Sequence, residues 1–80
     1  MYIDIGSDMA VRDETIVGIF DMDATTTSLR TRLFLRRAQK NGELIPCDDL
    51  PKSFVVTREY GMTRVYESTL SPQTLEKRIK

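Results

Sequence analysis

The chain has 80 residues, 40% of them hydrophobic, with 12 Lys and Arg against 12 Asp and Glu, no histidine and one cysteine. That length makes one domain, residues 1–80, with a small core, and part of its stability must come from elsewhere. The lone Cys47 excludes an internal disulfide, and the missing imidazole excludes His-based catalysis and the usual zinc sets, which leaves self-association as the expected supplement.

Tyr2-Ile3-Asp4-Ile5 alternates and ends at Gly6, as a short strand does. Gly6-Ser7-Asp8 reads as a turn, with Met9–Arg12 returning as the hairpin partner. Asp13-Glu14 breaks the pattern. Ile16–Phe20 is a β-branched and aromatic run, apolar on both faces, in which Gly18 marks a bulge or a close approach. Thr27 is the expected N-cap of a helix over Leu29–Lys40, and Asn41-Gly42 its stop. On a 3.6-residue wheel Thr31, Phe34, Leu35 and Ala38 share one side. Arg32, Arg36 and Lys40 form one basic row, Arg30 and Arg37 a second, and Leu29 and Leu33 fall between the two. Apolar side chains between basic rows imply that this surface packs on something. Glu43–Lys52 reads as a loop. Ser53–Arg58 is a strand with two apolar faces, Tyr60-Gly61 a tight turn, and Met62–Tyr66 the returning strand. Ser71-Pro72 opens a short final helix. The order is β-β-β-α-β-β-α: an α+β fold with a small antiparallel sheet and two helices, one sheet face of which is expected to meet a second protomer.

Charge follows this order. Residues 1–23 hold six acids and Arg12 alone as a base; residues 24–42 hold five bases and no acid; residues 43–59 are net −2 and residues 60–80 net +2. A chain sorted in this way offers a basic surface to nucleic acid, or a basic face of one copy to an acidic face of the next.

No Gly-rich phosphate loop is present, and the acid pairs Asp13-Glu14 and Asp48-Asp49 read as solvated rather than metal-binding. Cys47, with acids after it and no base nearby, reads as an inert thiol. Neither an enzyme nor a cofactor, metal, membrane span or small-molecule substrate is expected. Met1–Asp4 has neither the basic nor the apolar part of a signal peptide, so a cytoplasmic protein is expected.

Tyr2–Gly6, the run Asp13–Phe20 (DETIVGIF), Pro51–Thr57 (PKSFVVT) and Leu70–Arg78 (LSPQTLEKR) occur in this order across essentially the whole chain. In order, spacing and total length they resemble the RemA/RemB family of small bacterial extracellular-matrix regulators, on its RemB side. The resemblance implies a cytoplasmic transcription regulator of biofilm-matrix genes that assembles head to tail into a ring and binds double-stranded DNA on a basic rim. It places one DNA contact at Lys52, and the helix offers Arg36, Arg37 and Lys40 beside it. The chain departs from the RemA pattern where an arginine cluster precedes the strand: here stands Asp48-Asp49-Leu50-Pro51-Lys52. Thr15 likewise stands where RemA has arginine. The alternative reading is an oligomeric scaffold, or a partner of a RemA-like regulator, that binds no DNA.

Overall fold

The computed structural model describes residues 1–25 and 28–79. Strands β1 (Tyr2–Gly6) and β2 (Met9–Arg12) pair antiparallel, Ile3 opposite Val11, with a bulge between Asp4 and Gly6. Ser7 and Asp8 turn the chain with φ of 54° and 59°, the left-handed pair that matches strand twist in a two-residue hairpin. A 3-10 turn, Asp13–Thr15, follows and is tied by the Thr15 hydroxyl donating to the Arg12 carbonyl at 2.7 Å.

The remaining strands form a second sheet in the order β3 (Ile16–Asp21), β5 (Ser53–Glu59), β6 (Met62–Ser68), β4 (Leu44–Ile45). β3 and β6 run antiparallel to β5, and β4 runs parallel to β6. The expectation of one small antiparallel sheet is therefore corrected in two places. The N-terminal hairpin is a sheet of its own, and the segment read as a loop contributes a parallel edge strand. Two residues between Gly42 and Pro46 are too few to show alternation, so β4 leaves no trace in the pattern. A single helical turn, α1 (Met22–Thr25), also precedes the main helix.

Helix α2 spans Leu29–Lys40, the range expected. The expected cap at Thr27 lies outside the described residues; the cap is Ser28, whose hydroxyl accepts from the Thr31 amide at 3.4 Å. At the other end Gly42 has φ of 74°, its amide donates to the Gln39 carbonyl, and the Glu43 amide reaches back to Ala38. This Schellman closure satisfies the last carbonyls and turns the chain straight into β4. Helix α3 (Pro72–Arg78) starts as its Ser-Pro predicts, Ser71 accepting from the Thr74 amide at 3.2 Å.

Both faces of the large sheet are packed, and alternation along β5 decides which residue serves which. Val55 joins Ile3, Ile5, Val11 and Leu75 under the hairpin and α3. Phe54 and Val56 join Val65 and Ala38 under α2. Buried Ser68 locks the hairpin to the sheet: its hydroxyl donates to the Ile5 carbonyl at 2.7 Å and accepts from the Leu70 amide at 3.0 Å. The second cover that the doubly apolar strands require is thus largely supplied within the chain. Helix α2 does not reach the β3 edge, where Val17 and Phe20 stay exposed. Gly18 has its reason here. A bulge falls between Ile16 and Gly18, and the Phe20 ring folds over Gly18 to stack on Phe54 with centroids 5.1 Å apart.

Candidate nucleic-acid interface

Helix α2 carries its bases outward because Ala38 and Leu35 seat it on the sheet. Arg30, Arg32, Arg36, Arg37 and Lys40 are all exposed. None of the five meets an acid among the described residues, where Arg12 alone of the arginines forms ion pairs, with Glu14 at 3.2 Å and with Glu59. Those carboxylates, Glu14 foremost, hold the half-buried Arg12 guanidinium above its ordinary pKa, and the ion pairs occupy it. The cations of α2 therefore keep their field for an external partner.

The structure does not gather the four expected contacts. Lys52 is exposed at the start of β5, its amide donating to the carbonyl of Ser68 at the far end of β6. The end of α2 instead adjoins the β5–β6 turn, where Asn41, Gly42 and Glu43 share a cleft with Arg58, Gly61, Met62, Thr63 and Arg64. The length of β5 separates the two, about 20 Å. Arg36 and Lys40 belong to the outward row, whereas Arg37 lines an apolar trough with Leu29, Arg30, Leu33 and Phe34.

Sequence reasoning missed Arg58 and Arg64. Both are exposed, and the hairpin register sets Arg58 opposite Thr63, with which it hydrogen-bonds at 3.2 Å, and Arg64 opposite Thr57. The signal was available in part: two arginines flank a Tyr-Gly turn at nearly equal distances. Arg58 shares the α2 face with Phe54 and Val56 and nears the end of α2 because β4 lays that end beside β6, whereas Arg64, next to Val65, faces the hairpin side and lines a pocket with Arg12 and Glu59.

Several acids of the N-terminal third are held by neighbouring backbone or by the chain's own ammonium. Asp4 accepts from the Gly6 amide at 2.8 Å, Asp13 and Glu14 lie 3.4 and 3.5 Å from the Met1 ammonium, and Asp21 accepts from the Asp23 amide at 2.9 Å. The loop before Lys52 is tied down as well. Cys47 Sγ donates to the Asp49 carbonyl at 3.0 Å, and the Asp48 amide donates to Ser7 Oγ at 3.4 Å. Asp48, Asp49 and Leu50 nevertheless point to solvent, Leu50 at 82% exposure.

Among the described residues no helix is long and apolar enough to cross a membrane. A family model described as "RemA-like: Extracellular matrix regulatory protein A-like" matches residues 2–79. The chain is 40% identical over 80 residues to "Extracellular matrix regulatory protein B" of Bacillus subtilis (strain 168), an alignment covering 100% of this chain and 91% of that protein.

Proposed function

The chain belongs to the RemA-like family, and from that premise we propose that it is a cytoplasmic, self-associating, DNA-binding transcriptional regulator of extracellular-matrix genes. The observation that carries the DNA reading is the set of exposed cations without an ion-pair partner among the described residues, along the outer row of α2 and at the adjoining end of β5: Arg36, Lys40 and Arg58. The net charge is zero, so one copy attracts a polyanion weakly. Copies repeated around a closed ring would raise the effective concentration of each patch. Contact is with phosphates, because α2 packs its side against the sheet. Lys52, at the other end of the sheet, serves a second backbone contact.

The test is a mobility shift at about 50 mM salt with matrix-promoter duplex and a scrambled control, repeated across salt. Phosphate binding predicts a log–log slope of roughly −0.9 for each phosphate neutralised, the same for both duplexes. An assembled protein that shifts neither duplex would refute DNA binding. That outcome would favour the second reading, a scaffold or partner of a RemA-like regulator, which has its own support in the acids Asp48 and Asp49 standing just before Lys52.

A further inference from the structure

The β3 edge and α2 leave between them an apolar trough with a basic rim. Its floor is Val17, Phe20, Phe34, Phe54 and Val56, enclosing about 360 Å³, and it continues over Phe34 to Leu33 and Leu29 on the helix. Arg30 lines both stretches and Arg37 the second. Val17, Leu29 and Leu33 are 67%, 64% and 50% exposed. A contiguous surface of this kind marks a docking site. Its occupant must bring an apolar side chain for the floor and negative charge for the rim.

The chain itself carries such a group, on the other side of the sheet. Leu50 stands fully out of the loop between β4 and β5, directly after Asp48 and Asp49, and no carboxylate partner of Asp48 exists among the described residues. Pro46 and Pro51 bracket the loop, and its bonds to Ser7, Glu67 and within itself hold it in place, so little ordering entropy is lost when it docks. The other protruding tyrosines lack a pair of adjacent acids: Glu59 beside Tyr60 is bound to Arg12, and Tyr2 has Asp4 alone nearby, whereas Leu50 directly follows two.

We propose that the β3–α2 trough receives the Asp48–Leu50 loop of a second copy of this chain, with Leu50 on the apolar floor and Asp48 and Asp49 against Arg30 and Arg37. The loop leans on the N-terminal hairpin through Ser7, whereas the trough lies under the opposite face, so a copy cannot fill its own trough. Two different surfaces meet, and a contact of that kind propagates into a closed ring or a filament. The inference rests on the self-association part of the preceding reading and is independent of DNA binding. It also gives the acidic loop a use: it faces protein.

The test is a charge swap read by light scattering at one protomer concentration. Asp48→Arg with Asp49→Arg, and separately Arg30→Glu with Arg37→Glu, should each collapse the assembly toward the 9.2 kDa protomer. All four changes in one chain should restore it, and mixing the two double variants should also restore assembly, with the variants alternating, because native and swapped contacts then both form. Leu50→Ser should weaken association roughly tenfold to a hundredfold. Circular dichroism on each variant confirms folding, since every altered side chain is exposed. A wild type that assembles while both folded double variants keep its mass would overturn the proposed contact and leave self-association standing. A wild type that is monomeric at tens of micromolar, well above the range of ordinary protein affinities, would overturn both.

Discussion

Replacing Gly18 by alanine should destabilise the protein, and the same replacement should stabilise it once Phe20 has been removed. A Cβ on Gly18 would lie 2.8 Å from Phe20 Cε1 and 3.0 Å from Cζ, against the 3.5–4.0 Å at which carbons pack. Backbone does not crowd the site, so the ring yields. Phe20 is 41% exposed and can swing outward, leaving its stack on Phe54. That stack contributes about 0.5–1.5 kcal/mol, and the lost burial of a half-covered ring about 1 kcal/mol more. Alanine is favoured over glycine in a strand by about 0.5–1 kcal/mol. The balance is a loss of about 1 kcal/mol in the wild type and a gain of about 0.5–1 kcal/mol in Phe20→Ala, a coupling near 2 kcal/mol. For a domain of this size, about 1 kcal/mol moves the melting temperature by roughly 4–8 °C. The assay is thermal unfolding of all four members of the cycle at one protomer concentration, because self-association raises apparent stability. Gly18→Ala shifting Tm with the same sign and size in both backgrounds would refute the argument that the glycine exists to seat the Phe20 ring.

Other outcomes follow from single contacts. Ser68→Ala leaves the Ile5 carbonyl and the Leu70 amide without a buried partner, and urea unfolding should show a loss of about 2 kcal/mol. Ser28→Ala removes the α2 cap at a cost of about 1 kcal/mol, visible as faster hydrogen exchange in the first turn of the helix. Tyr60 holds φ of 53° ahead of Gly61 at 75°, so Tyr60→Asn, which tolerates that region better, should stabilise the hairpin by about 0.5–1 kcal/mol in thermal melts. Arg58→Ala should lower the salt slope of DNA binding by about 1 for each protomer in contact, without changing preference between duplexes.

Local structure was written in local residues. The Tyr-Gly turn, the Asn-Gly stop, the Ser-Pro start and the alternation of the N-terminal strand each specify their element through a few neighbouring dihedrals, and the structure forms those elements where the pattern places them. The sorting of charge was equally legible: α2 carries only bases, and they face outward because Leu35 and Ala38 turn inward. What covers each face of the sheet was not legible, since it depends on contacts between segments distant in the chain. The hairpin packs as a separate layer through Ser68 and Ile5, 63 positions apart, and β4 joins the sheet through two residues too few to show a period. The same long-range packing parts Lys52 from the end of α2, brings Arg58 to that end, and leaves the Phe20 edge open. Composition and periodicity determine which residues can be buried and which charges stay wet; only the tertiary arrangement decides which exposed groups become neighbours, because that proximity is set by burial of faces whose partners lie elsewhere in the sequence.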